Sequence, residues 1–215
     1  MTMKENRKTM ILTCLLCLLP MALGLYFYKE LPDQMPIHWN AAGEVDGYAP
    51  KALAVFGFPV FFAALELLMF FVILNDPKKQ NQSNIMRQLG FWSLPVIGII
   101  VYTATIFSGL GYDLPITTIV MILVGVLFII VGNYMPKAKQ NYTIGIKLPW
   151  TLDDTENWNK THRLGGFLWV IGGIVFLIGA FLPGGAVLTL VTALVMVLVP
   201  TGYSYMLYRK KQKAE

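Results

Sequence analysis

The chain has 215 residues, of which 56% are hydrophobic and only 13% charged. A soluble domain is roughly a quarter charged, so this composition excludes an ordinary soluble globule, and its apolar richness excludes a disordered chain. The net charge of +5 reads as a membrane-orientation signal rather than a nucleic-acid footprint, and no direct nucleic-acid partner is expected.

A membrane-spanning helix needs about 20 mostly apolar residues. Six stretches qualify: 10–28, 52–74, 91–110, 116–134, 164–182 and 186–208. Lys4, Arg7 and Lys8 precede the first, as in a secretory signal, but this stretch ends in Tyr26, Phe27, Tyr28 and Lys29 without a small-residue cleavage site, so a retained helix is expected. Cys14 and Cys17 share a helix face within it and read as buried free thiols. The connections at 111–115 and 183–185 are short enough to force tight hairpins. The fold class expected is therefore an all-α polytopic membrane protein with six spans. With both termini cytoplasmic, Lys29 and Lys51 are the only two of the 17 Lys and Arg residues placed outside, which is the distribution that sets orientation.

Only two loops are long. The outer one, 29–51, contains LPDQMPIHWNAAGEVDGYAPK. Its prolines forbid a long helix, its Gly, Asn and Asp residues favour turns, and Ile37 and Trp39 flank His38 as in a short extended piece. A turn-rich cap is expected. Asp33, Glu44, Asp46 and His38 match no metal-ligand spacing, so no metal or other cofactor is assigned. The acids give the loop a weak attraction for cationic partners.

The inner loop, 135–163, lies within GNYMPKAKQNYTIGIKLPWTLDDTENWNKTHRLGG. Thr151 with acids after it resembles a capping box. Asp153, Asp154 and Glu156 suit a helix start, and Lys160 and Arg163 a helix end. These signals predict a short amphipathic helix over 152–163 on the membrane surface, with Trp158 and His162 on one face and Gly165 and Gly166 behind it as a stop or a packing point. The segment serves either as an anchor for the fifth span or as a docking surface for a cytoplasmic protein. Glu66 is the one clear charge inside a span, and an acid at that depth is a functional candidate. No nucleophile elbow, phosphate loop or metal-binding motif is found, and no catalytic residue is assigned.

The outer segment resembles the DUF1648 signature. The inner one resembles that of the SdpI family of bacterial immunity proteins, through Gly132, Asn133, Gln140, Asn141, Ile144, Gly145, Pro149, Trp150, Thr151, Trp158 and Arg163. On this resemblance residues 1–88 form a DUF1648-like region holding the first two spans, and residues 89–215 an SdpI-like region holding the last four. The resemblance implies a non-enzymatic protein of the bacterial plasma membrane that protects against a secreted, membrane-active peptide toxin. It also implies a receptor that holds a cytoplasmic ArsR-type repressor at the membrane. Pro36, His38, Trp39, Gly43 and Asp46 are then the candidates for toxin recognition, with Glu66 in a conformational switch. Asn133, Gln140, Asn141, Gly145, Pro149, Trp150, Thr151, Trp158, His162 and Arg163 are the inner motif and the candidates for repressor docking. The competing readings are a small proton-coupled transporter or exporter using Glu66, and a purely structural scaffold.

Overall fold

The structure is a computed structural model that describes residues 3–213. Six helices are long and apolar enough to cross a membrane: Asn6–Tyr26, Leu53–Leu74, Asn84–Gly109, Ile116–Lys137, Thr155–Gly179 and Gly185–Gln212. All six predicted spans are found, with ends shifted by up to nine residues, most at the start of the fifth. By packing, the chain falls into two compact units that interleave in sequence: 1–71 with 88–120, and 72–87 with 121–215.

In the first unit α1 (Met3–Leu18) passes into α2 (Pro20–Tyr26). The break falls at Pro20, whose ring and missing N–H interrupt the helical ladder. The expected turn-rich cap is a β-hairpin, β1 (Gln34–Trp39) paired antiparallel with β2 (Val45–Pro50). Next comes one π-helical turn, Leu53–Gly57, leading into α3 (Phe58–Leu74). A π turn leaves carbonyls off the regular ladder, and here the Tyr102 hydroxyl donates to the Val55 carbonyl at 3.0 Å. Tyr102 belongs to α4 (Asn84–Gly109). Gly24 makes the approach possible, because a Cβ there would overlap both the Tyr102 hydroxyl and Val55. Met35 of β1 is fully buried and packs with Leu31, Ala54, Val55, Tyr102 and Ile106, which fixes the hairpin to the end of the bundle. Deeper in the unit, Phe70 and Phe91 stack with ring centroids 3.7 Å apart.

The second unit holds most of α5 (Ile116–Tyr134), then α6 (Pro149–Asp153), α7 (Thr155–Gly179) and α8 (Gly185–Gln212). The predicted separate helix over 152–163 is not formed. Asp154 is extended and caps α7, its side chain accepting from the Glu156 and Asn157 N–H groups, so the helix starts at Thr155 and runs unbroken into the fifth span. Thr151 sits in the one-turn α6 instead. Gly165 and Gly166 do not stop the helix. They are packing points: a Cβ at Gly166 would strike the Gly132 carbonyl, and one at Gly173 the Gly125 carbonyl. The four glycines are spaced by seven on each helix, so α5 and α7 meet backbone to backbone at two successive levels. At the far end of α7, Gly179 and Gly185 bring the chain back along α8 in close contact.

Candidate functional site

Two assemblies collect the residues singled out in the sequence. The first is the hairpin. Asn40 builds its turn, its side-chain oxygen accepting from the Ala42 and Glu44 N–H groups at 2.9 and 3.0 Å. Gly43 follows at φ +85°, a left-handed conformation that favours glycine. His38 Nδ1 and the Asp46 carboxylate form an exposed hydrogen-bonded pair across the strands. Trp39 is half-buried, and Pro36 is buried. These five residues therefore share one surface element.

The hairpin's edges are poor templates for a third strand. The Lys51 N–H bonds the Asp33 carbonyl at 2.9 Å, and Gln34 faces Pro50 while Pro36 faces Tyr48. In an antiparallel ladder this alternation turns the backbone N–H positions of 34, 36, 48 and 50 outward. Two of the four are prolines, which have no N–H to offer, and prolines at such positions guard sheet edges. A partner would thus contact side chains rather than extend the sheet. Lys51 also reaches the Leu31 carbonyl at 3.0 Å, Asp33 at 3.3 Å and the Tyr28 ring at 5.1 Å, so it ties the base of the hairpin together.

Glu66 is fully buried in α3. Cys14 and Cys17 of α1 lie within its electrostatic reach, and the Thr13 hydroxyl of the same helix lies near its carboxyl. The Thr13 hydroxyl is committed to the Thr9 and Met10 carbonyls, and among the described residues neither Glu66 oxygen has a hydrogen-bond partner. An unsatisfied carboxyl at this depth is costly.

The second assembly is the inner loop. Asn141 uses its whole amide: it donates to the Lys139 and Ile144 carbonyls and accepts from the Thr143 and Ile144 N–H groups, at 2.7–3.1 Å. Gln140 donates to the Thr151 carbonyl at 2.9 Å, and Thr151 accepts from the Leu148 N–H at 2.9 Å. Trp158 and His162 stack with ring centroids 3.9 Å apart. The indole N–H of Trp158 donates to the Ala138 carbonyl at 2.7 Å. His162 Nε2 accepts from the Ile146 N–H at 2.9 Å, which leaves the ring proton on Nδ1, bonded to the Trp158 carbonyl at 2.8 Å. Gly145, at φ +128°, lies against both rings, and any side chain there would enter the His162 ring. Trp150 stands apart, donating to Ser204 Oγ at 2.7 Å and packing on Tyr205 and Tyr208. Asn133, Pro149 and Arg163 are exposed and lie outside this network.

Sequence reasoning missed the residue that holds the loop from outside. Asp76, in the connection after α3, is buried and accepts from the Thr143 hydroxyl at 2.6 Å, the Tyr142 N–H at 3.0 Å, the Gln82 amide at 3.1 Å and the Lys78 N–H at 2.7 Å. Burial pushes its carboxyl up, but these four bonds outweigh burial and hold it below the ordinary value. Lys78 and Asn81 add bonds to Gln140, each at 2.8 Å. Ser204 was also missed. Its hydroxyl donates to the Asn157 oxygen at 2.8 Å while the Asn157 amide donates to its carbonyl at 2.9 Å.

Residues 137–204 match the family model of the SdpI/YfhL protein family, and residues 15–63 match DUF1648, a domain of unknown function. The "Immunity protein SdpI" of Bacillus subtilis (strain 168) is 28% identical over 210 residues, covering 97% of this chain and 98% of that protein. No solved structure matches the chain. The hairpin lies in the stretch that matches DUF1648 and most of the inner loop in the stretch that matches SdpI/YfhL, so the chain, with six helices long and apolar enough to cross a membrane, is a multi-pass bacterial membrane protein that resembles the SdpI/YfhL family in its C-terminal part and DUF1648 in its N-terminal part.

Proposed function

We propose that the chain is a membrane immunity protein that protects its bacterium against a secreted, membrane-active peptide. The observation that carries this reading is the end-to-end match to a relative named as an immunity protein. In this reading both termini are cytoplasmic, as the Lys and Arg distribution favours, and the hairpin meets the toxin outside. Trp39 supplies aromatic contact, and Pro36, Gly43 and the His38–Asp46 pair set the hairpin's shape. Occupancy biases a two-state bundle, as any ligand with differential affinity does, and Glu66, buried without a hydrogen bond, is the group whose environment such a shift changes. No catalytic step is assigned.

The receptor role is a further part of the proposal. Gln140, Asn141, Gly145, Thr151, Trp158 and His162 fold the inner loop, and the exposed Asn133, Pro149 and Arg163 with the half-buried Trp150 are the parts of the motif a cytoplasmic ArsR-type repressor can reach. The test is survival of toxin-challenged cells expressing wild type, Trp39→Ala or Glu66→Gln at equal membrane abundance. Loss of protection in either variant supports its assignment, and full protection by both removes the hairpin and Glu66 from the mechanism. Repressor co-sedimenting with toxin-treated wild-type membranes but not with Arg163→Glu membranes supports docking. The unpaired Glu66 carboxyl favours one second reading, a proton-coupled exporter, which requires a substrate-dependent proton flux in vesicles that Glu66→Gln abolishes.

A further inference from the structure

The paired ends of α7 and α8 project beyond the hydrocarbon layer. The two helices run side by side along their whole length: Gly179 meets Gly185, Gly172 meets Met196, Asn157 bonds Ser204, and Asp154 pairs with Lys211 at 3.2 Å. α8 has 28 residues, which is about 42 Å of helix against a hydrocarbon core of about 30 Å. The connection at 180–184 holds the other ends together. The surplus is assigned to the Asp154–Lys211 end, at headgroup level, because Arg209, Lys210 and Lys211 fill the last turn of α8 while its first turns carry no charge. The cluster of Trp150, Tyr205 and Tyr208 there is the aromatic belt such a depth favours.

Two clefts open at this level on either side of the Asp154–Lys211 ion pair. One, of about 280 Å³, is walled by Trp150, Tyr208 and Asp153. The other, of about 300 Å³, is walled by Lys160, Lys210 and Glu156. Both share Asp154 and Lys211, so the first holds two carboxylates to one lysine and the second three lysines to two carboxylates. The first offers aromatic faces and a carboxylate, which suit an ammonium group. The second offers lysines, which suit a phosphate. Lys160 is held by Glu156 at 2.6 Å, and Lys210 makes no ion pair among the described residues. Just below, Met206 is exposed and continues the apolar flank of α8 on which acyl chains lie.

We propose that these adjoining clefts bind the zwitterionic headgroup of an aminophospholipid, the phosphate on the Lys210 side and the ammonium on the Asp153 side. A purely anionic headgroup satisfies only the lysine cleft. A bulky quaternary ammonium loses the hydrogen bond to Asp153. The inference is independent of the immunity reading and of which membrane face this end occupies.

The test reconstitutes the full chain in nanodiscs of phosphatidylcholine alone or doped with phosphatidylethanolamine or phosphatidylglycerol, and follows thermal unfolding and lipid retention by native mass spectrometry. Phosphatidylethanolamine is expected to raise the midpoint by about 2–4 °C over phosphatidylcholine, because a ligand of the folded state stabilises it by mass action. Both variants used change exposed side chains. Asp153→Asn should erase the preference for phosphatidylethanolamine over phosphatidylcholine, and Lys210→Gln should weaken retention of phosphatidylethanolamine and phosphatidylglycerol alike. Soluble phosphoethanolamine added at millimolar concentration separates a free-ligand site from a lipid site: competition only from the lipid supports the proposal. Equal retention of all three lipids, preference for phosphatidylglycerol, or a phosphatidylethanolamine preference that survives Asp153→Asn overturns it.

Discussion

Replacing Asp76 with alanine removes the acceptor for four donors at once: the Thr143 hydroxyl, the Tyr142 and Lys78 N–H groups and the Gln82 amide. A hydrogen bond to a charged group is worth about 1.5–3 kcal/mol. These donors lie in connections rather than within the bilayer, so water replaces part of the loss and a net cost of about 3 kcal/mol is expected. For a chain of this size that lowers the unfolding midpoint by about 6–12 °C. Asp76→Asn should fall between wild type and alanine. Its amide oxygen, placed where Thr143, Tyr142 and Gln82 converge, keeps their bonds, while its NH2 faces the Lys78 N–H. The assay is thermal unfolding in detergent together with limited proteolysis of the loop at Lys139 and Lys147, which should become more susceptible in the order wild type, Asn, Ala. Adding Thr143→Val to Asp76→Ala should cost little more, since the two share one interaction. An Asp76→Ala protein within about 1 °C of wild type, well inside the shift the lost bonds require, with an unchanged cleavage pattern, would refute the assignment.

The same carboxyl makes stability depend on pH. Because Asp76 is held below its ordinary value in the folded state, its contribution is complete above the ordinary carboxyl pKa and is lost as pH falls through the lower folded value; an acid titration of the unfolding midpoint should show this drop, and Asp76→Asn should flatten it. Gly166→Val and Gly173→Val drive a side chain into backbone carbonyls of α5 and should reduce folded protein recovered from membranes several-fold. Gly202→Ala meets open space and should be neutral or stabilising by up to about 1 kcal/mol in the same thermal assay. Met35→Ala empties a fully buried position and should cost about 2–5 kcal/mol, whereas His38→Asn disturbs only an exposed hydrogen bond to Asp46 and should shift the unfolding midpoint by no more than about 2–4 °C.

The spans were legible because twenty-residue apolar runs have few alternatives in a chain with so little charge. The hairpin was half legible. Its prolines, turn residues and the alternation around His38 excluded a helix and suggested an extended piece, but strand pairing is non-local and was not read. The helix over 152–163 was misplaced because Thr151 and Asp154 both suit a helix cap, and the choice between them depends on the bond from Thr151 to Leu148 across α6. Gly165 and Gly166 left a stop and a packing point both open because what they face, Met135 and Ile146 for the first and Gly132 for the second, lies outside the local sequence. Trp158 and His162 share a face as their spacing said, but their burial follows from Ala138, Gly145 and Ile146 folding over that face. Asp76 gave no signal at all. A single acid in a polar connection looks solvated until the partners at 142 and 143 are known.

The support that Asp76, Lys78 and Asn81 give to the loop has a consequence for how this protein can be divided or inherited. Residues 137–204, the stretch that carries the family resemblance, do not contain the three side chains that hold Gln140, Tyr142 and Thr143 in place. Transplanting that stretch onto another pair of helices would deliver the signature without its scaffold. Recombination that preserves a working loop must carry the short turn after α3 along with it, so the two halves of the gene are expected to travel as one.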